Sequence, residues 1–434
     1  MDGRRESRPA ECKESAQNGG PIPLVIPFKA LRPPKQYARE VAAHPYDVPE
    51  WDEAKKIAET NPRSFLHVEK PEIDFPVERA GDDPSIHVRA RDTLDRLIKE
   101  GCLLQEEKPC LYVYGQKQEA HVQYGIVGCV SLAEYEAGQI KKHELTTLDK
   151  EEDRIRNIDT VNANTGLVFC VYPASDAINR VVEEIVRQAP EYDFVFDNGV
   201  VHSVWVVRAD QRIKAIRKAF LNVQTLYIAD GHHRAAAAAA VARLRKGGNP
   251  AHRGTEEYNF FVAGLFAHDQ ARIMGYDRMV KDLNGLTEKE FLGGVGESFI
   301  VSPESGLKSP SRPHEFGMYL GGKGFRLHVK EDELRQKDII RTLDVSLLQE
   351  NLLAPILGIQ DPRTDKRIKF VGGIRGVAAL QNMVDSKEFA VAFTLYPTSV
   401  SQLMAVADSG QIMPPKSTWF EPKLLSGLFV HLLH

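Results

Sequence analysis

Residues 225–234 read Thr-Leu-Tyr-Ile-Ala-Asp-Gly-His-His-Arg, and Ala235 to Ala240 follow as an unbroken alanine run. Thr225 to Ala229 is an apolar stretch of strand length. Asp230-Gly231 supplies a tight turn, because glycine tolerates either sign of φ. Alanine is the strongest helix former, so a helix should run from the turn to Gly247-Gly248. The segment is therefore strand, tight turn, helix. Such a helix start carries free N–H groups and partial positive charge, which is where phosphate binds. His232, His233 and Arg234 add side-chain donors, and Arg234 suits a bidentate grip on phosphate. Asp230 is placed to cap the helix, to orient a substrate hydroxyl or to hold a metal. A plain helix cap with two surface histidines is the alternative. Adjacent helical residues point about 100° apart, so His232 and His233 are poor joint ligands for one zinc ion.

Outward from this turn, helix and strand patterns interleave. Leu111–Tyr114 and Gln123–Leu132 read as a hairpin, 148–158 as a charged helix and Leu167–Tyr172 as a strand. An amphipathic helix is expected over 175–188. Asn198-Gly199 lies between two strand-like runs, a strong hairpin signal. A helix over 209–221 precedes the turn and an apolar strand, Asn259–Phe266, follows its helix. Upstream, 35–42 and 50–60 read as helices, Ser64–Glu69 as a strand and Val88–Glu100 as a helix stopped by Gly101. The fold class is mixed α/β, in the α+β sense. Met1–Gly20 reads as a disordered tail, and the Ser/Pro/Gly-rich stretch 300–315 as a linker. The expected division is 21–139, 140–285 and 286–434, with the central part holding the turn.

The chain has 434 residues and a net charge of −4, so a protein that coats nucleic acid is not expected. Five scattered cysteines make neither a disulfide scaffold nor a CxxC zinc site. No apolar run reaches the ~20 residues of a membrane span. A cytoplasmic protein is expected, and its oligomeric state is not legible.

Other candidates lie at a distance. His143-Glu144 precedes the turn by 86 residues, counted from Glu144 to Asp230. Met413 to Lys423 joins two lysines, two hydroxyls and aromatic surface, with Lys416, Ser417 and Thr418 as an anion loop. It is not a Walker A loop, since the upstream glycine is missing. Arg363 and Arg375 sit in a charged, glycine-containing stretch, and His202 on the second hairpin strand. Asp47, in Pro-Tyr-Asp-Val, reads first as a turn residue.

The turn resembles the signature of the ParB/sulfiredoxin-like superfamily, and within it the free-serine kinases, which pair an upstream His-Glu with DGHHR. The chain beyond Pro21 also resembles a family of unknown function. That resemblance rests on PFKALRPP (27–34), PYDV (45–48), SFLHVEKPEID (64–74), KKHELT (141–146), HSVW (202–205), YIADGHHR (227–234), LGIQDPRTDKRIKFVGGIRG (357–376) and MPPKSTWFEPKLLSGLFVHLL (413–433). The kinase resemblance implies a ParB/sulfiredoxin-like core and transfer of phosphate from ATP or ADP, with Mg²⁺, to free L-serine. It implies Glu144 as base; Asp230 is the carboxylate expected to hold Mg²⁺ beside the phosphates, and His232 joins these two as a catalytic candidate. Gly231 to Arg234 and Lys416 to Thr418 would bind phosphate, and His143, His202, Arg363 and Arg375 the acceptor. The chain departs from the pattern in its alanines, where an aromatic residue is expected after DGHHR. A nucleotide-binding switch, or a ParB-like regulatory module, is one alternative function. A phosphate-ester hydrolase is another.

Overall fold

The computed structural model describes residues 25–76, 83–335 and 338–434. The expected tail, Met1–Gly20, lies outside them. Eight strands form the main sheet: β1 (Leu111–Gln118), β2 (His121–Ser131), β3 (Ile140–Lys141), β4 (Val168–Tyr172), β5 (Tyr192–Val195), β6 (Val201–Val207), β7 (Leu226–Asp230) and β8 (Phe260–Ala267). Their spatial order is β3-β7-β4-β8-β2-β1-β6-β5. Helices and multistranded sheets alternate through the chain, so the class is mixed α/β as expected.

Side chains alternate across this sheet. Leu111, Val113, Ile126, Val168, Cys170, Leu226 and Ile228 join one buried cluster with helical residues such as Ile158, Ile178, Val182 and Ile216. Tyr112, Tyr114, Val127, Phe169, Val171 and Tyr227 join another with Met413, Phe420, Leu424 and Leu428 of the C-terminal stretch. Both faces are therefore covered. Six helices matter for the site: α1 (Trp51–Thr60), α2 (Leu66–Glu69), α3 (Ser85–Lys99), α4 (Leu148–Val161), α5 (Asp176–Val186) and α6 (Asp210–Phe220). A seventh, α7 (His232–Gly248), follows the turn and buries Ala235, Ala237, Ala238 and Ala239 against the sheet. The alanines let α7 lie close to the strands.

Ser64–Glu69 is not a strand. Phe65 carbonyl accepts the Val68 and Glu69 N–H groups, and Ser64 Oγ accepts that of Leu66, winding α2 instead. A single β-branched residue, Val68, is too little to hold an extended run.

A second sheet holds β9 (Tyr276–Val280), β10 (Phe299–Glu304), β11 (Glu315–Leu320), β12 (Lys323–Val329), β13 (Ile368–Gly372) and β14 (Val391–Leu395), in the order β10-β12-β11-β14-β9-β13. The stretch 300–315 is thus no interdomain linker: it opens with β10 and leads to β11 of the same sheet. Its Ser, Pro and Gly residues serve the connection between two strands. Sheet membership also crosses residues 140 and 285, since β1 and β2 belong to the main sheet and β9 to the second.

Candidate functional site

The register of β3 on β7 decides the site. The two strands run parallel, with Leu226 opposite Ile140 and Tyr227 opposite Lys141. The pairing ends at Lys141; beyond it His143 Nδ1–H donates to Ile228 carbonyl at 2.9 Å, and Glu144, 86 positions upstream of Asp230, lines the same cavity as the turn. A bulge between Ile228 and Asp230, against β4, re-aims the end of β7.

At the turn, Gly231 has φ of 92°, and a Cβ there would lie 3.4 Å from Val168 Cα. Its N–H donates to Asp230 Oδ1 at 2.8 Å. Asp230 Oδ2 is taken by Lys423 Nζ at 2.7 Å, and Lys423 rests over the Trp419 ring at 4.4 Å. Burial works to raise the Asp230 carboxyl, but Lys423, with Arg234 and His232 beside it, overrides burial and holds it well below the usual range.

Arg234 is anchored. It donates to Leu167 carbonyl at 3.0 Å and to Glu69 Oε2 at 3.4 Å, and its guanidinium lies 5.5 Å from the Tyr46 ring centre. Each terminal nitrogen spends one N–H on these partners. Its charge still faces the cavity.

His143 donates from Nδ1 to Ile228 carbonyl at 2.9 Å, which leaves Nε2 as the lone-pair nitrogen, 3.4 Å from Thr418 Oγ1. The rings of His143 and His232 meet edge to face, 4.5 Å apart. Burial pushes His143 down to about 4, partly offset by its bond to Ile228. Burial and the neighbouring His143 push His232 well down. His233 is lowered to about 4 by burial and Lys150. All three are neutral at pH 7. Burial raises the Glu144 carboxyl, against the pull of Lys416.

One cavity of about 110 Å³ is lined by His232, His233 and the charged groups, with Asp47, Glu144 and Asp230 facing Lys150, Arg234, Lys416 and Lys423; His143 lies behind its wall, against His232. Among the described residues no carboxylate is in salt-bridge contact with Lys150 or Lys416. Two larger hollows adjoin it. One of about 500 Å³ shares Tyr46, Asp47 and Lys150; the other, about 820 Å³, shares Glu144 and His232 and runs along Ala236 and Ala239 of α7. The central cavity suits phosphate groups, and only the adjoining hollows reach the ~300–1,000 Å³ of a small-molecule site.

A family model described as "Protein of unknown function (DUF1015)" matches residues 25–346. The chain belongs to this family. No curated protein matches the sequence. Among solved structures, a free serine kinase in complex with AMP is similar at 12% identity, with 68% of this chain and 86% of that chain covered and a TM-score of 0.33. A conserved hypothetical protein from Pyrococcus furiosus is similar at 13% identity, 71% and 97% coverage and a TM-score of 0.34. SbnI from Staphylococcus aureus, with a C-terminal truncation, is similar at 11% identity, 70% and 87% coverage and a TM-score of 0.38. Among the described residues, no helix of this DUF1015 chain is long and apolar enough to cross a membrane.

Of the residues expected at the site, Glu144, Asp230 to Arg234, Lys416 and Thr418 come together around this cavity, and His143 backs it through His232 and Thr418. Four do not. The Ser417 hydroxyl donates to Pro414 carbonyl at 2.5 Å, and its own carbonyl accepts from Thr398, so it builds the turn rather than the cavity wall. His202 lies in the core, bonded to Tyr114 at 2.6 Å and stacked on Phe194, because its alternation on β6 turns it inward. Arg363 is spent on Asp361 at 2.7 Å in a self-paired loop, and Arg375 is exposed beside the second sheet. Asp230, expected as a metal ligand, already accepts one hydrogen bond on each oxygen, from Gly231 N–H and from Lys423. Sequence reasoning missed Tyr46 and Lys150 as cavity residues, Glu69 as the partner of Arg234, and Lys423 as the partner of Asp230. Asp47, read first as a turn residue, faces the cavity. Nothing in the charged run around Lys150 could have distinguished it.

Proposed function

We propose that this protein is a nucleotide-dependent small-molecule kinase, with free L-serine as acceptor. The observation that carries the reading is one cavity lined both by a half-buried carboxylate, Glu144, and by a left-handed glycine turn at a helix N-terminus. Phosphoryl transfer needs phosphate positioning, charge neutralisation and a base for the hydroxyl. The first-turn N–H groups of α7 meet the phosphates. Lys150 and Lys416 neutralise their charge, and Lys423 keeps Asp230 ionised and in place, fixing the turn. Glu144 takes the acceptor hydroxyl proton as the new O–P bond forms and the bond to the leaving nucleotide breaks. Its burial-raised basicity favours that transfer. The products are a phosphomonoester, the shortened nucleotide and a proton.

The cavity's donor set fits Mg²⁺ only in the usual nucleotide manner, through phosphate oxygens and one or two carboxylates. With Glu144 kept as the base, Asp47 is the carboxylate facing the cavity that is not spent on a cation within salt-bridge reach. Magnesium would there add charge neutralisation to that of the lysines.

The test is ³¹P NMR of the protein with Mg²⁺, ATP or ADP, and a pool of amino acids. A serine-dependent phosphomonoester signal that disappears in Glu144→Gln is expected. Nucleotide binding with no new phosphomonoester would replace this reading with a nucleotide-binding switch. Absence of nucleotide binding would leave the turn a structural cap.

A further inference from the structure

Among the described residues, one group of three potential metal ligands stands close together: His143, Glu144 and His232, with ligand atoms all within 4.8 Å of one another. Both histidines are nearly inaccessible, at 1% and 7% exposure. His143 is already oriented as a ligand. Its Nδ1–H is fixed on Ile228 carbonyl at 2.9 Å, the backbone contact that commonly sets the tautomer of a metal-bound histidine. Its Nε2 has only the long 3.4 Å contact to Thr418. His232 Nε2 is buried with no hydrogen-bond partner in the protein. A buried nitrogen left in that state costs stability, and so does a carboxyl held out of water beside it. A cation among the three would relieve both.

We propose that His143, Glu144 and His232 form a binding site for a d-block divalent cation, of which Zn²⁺ is the representative. Two imidazoles and one carboxylate are a donor set found at catalytic zinc sites, with a fourth position left for water or another oxygen ligand. Imidazole nitrogen selects zinc, iron, nickel or cobalt, whereas Mg²⁺ prefers all-oxygen surroundings. At metal–ligand distances of about 2.0–2.2 Å the three atoms must draw together by on the order of 1 Å. The partner of His232 is thus His143, from the segment that follows β3, rather than its neighbour His233.

The site does not rest on the kinase reading, because it is tested without nucleotide; with the cation bound Glu144 is a ligand and not a free base, so the two are alternative states of this carboxylate. The full chain is titrated with Zn²⁺ in competition with a chromophoric chelator, and with Co²⁺ as a spectroscopic reporter. One equivalent of Zn²⁺ is expected, with Co²⁺ giving the intense visible bands of a low-coordinate N/O site. Affinity should fall by more than about tenfold in His143→Ala, His232→Ala and Glu144→Gln, beyond the lower end of what loss of an outer-shell partner costs. His252→Ala should change nothing; its surface pair with Glu256, at 3.2 Å, controls for chance chelation. Should a buried-histidine variant fail to fold by circular dichroism, Glu144→Gln at the half-buried position carries the test. No Zn²⁺ retained against the chelator, or equal affinity in Glu144→Gln and the parent, would overturn the proposal.

Discussion

Replacing Glu69 with alanine removes the carboxylate that faces Arg234 beneath the turn. Glu69 is 1% exposed and the Arg234 side chain 13%, with 3.4 Å between Nη2 and Oε2. At an effective dielectric near 20, two unit charges at that distance attract by about 5 kcal/mol. Part of this offsets the desolvation of both groups. Removing only one partner leaves a buried guanidinium uncompensated, which costs about 3–5 kcal/mol. Arg234 keeps its bond to Leu167 carbonyl, so the lower end applies, about 3 kcal/mol for Glu69→Ala. Glu69→Gln keeps an oxygen acceptor and loses only the charge, and should cost about half as much. The assay is a urea titration followed by tryptophan fluorescence, with Arg234→Met and the double variant closing a mutant cycle. A coupling energy above about 1 kcal/mol is expected for contacting charges. A loss below about 0.5 kcal/mol in Glu69→Ala, the level of an ordinary surface change, would refute the reasoning. So would strict additivity in the cycle, because Arg234 would then be held by Leu167 and packing alone.

Glu144→Gln should lower phosphoryl transfer by at least about 100-fold, the low end for losing a general base, with nucleotide affinity little changed. The parent rate should fall as pH drops through the raised carboxyl pKa, since the protonated acid cannot accept the hydroxyl proton; a flat profile would exclude this base. Gly231→Ala forces a Cβ into the left-handed region at φ 92°, and should cost about 1–2 kcal/mol in a melting experiment, together with nucleotide affinity. No change in either would mean the turn relaxes freely. Asp344 is pushed up to about 7 by burial, although the His314 N–H opposes this. The folded state then holds a proton that the unfolded chain releases near pH 4, so stability should fall as pH rises from about 4 to about 7. The loss should not exceed about 4 kcal/mol. Asp344→Asn should flatten that dependence, and an unchanged slope in its urea midpoints would assign the pH dependence to another group.

Local chemistry made much of the chain legible. The strand, glycine turn and alanine helix of 225–248 follow from propensity and from the freedom of Gly231. The hairpin at Asn198-Gly199 and the helices beginning at Ser85, Leu148, Asp176 and Asp210 follow from turn chemistry and periodicity, because the signal and the structure lie within a few residues of each other. Errors came where a short window is ambiguous. Phe65 to Glu69 is apolar enough for a strand, and its carbonyl bonds alone make it a helix. The stretch 300–315 has the composition of a linker, yet pairing with distant strands makes its start β10.

The site divides the same way. The phosphate-binding character of Gly231 to His233 is local, and so is the anion-loop look of Lys416 to Thr418. That Glu144 shares a cavity with Asp230 is not local: it depends on the segment after Ile140–Lys141 running beside the end of β7, where His143 bonds Ile228 carbonyl. That Arg234 is held by Glu69, and Asp230 by Lys423, depends on pairs separated by 165 and 193 residues. Sequence alone supplied the mixed α/β class, the helix start and the residue types able to hold phosphate. Only the tertiary structure decided which charges neutralise one another and which remain for a ligand, because pairing energy depends on distance through space and on burial, neither of which is written along the chain.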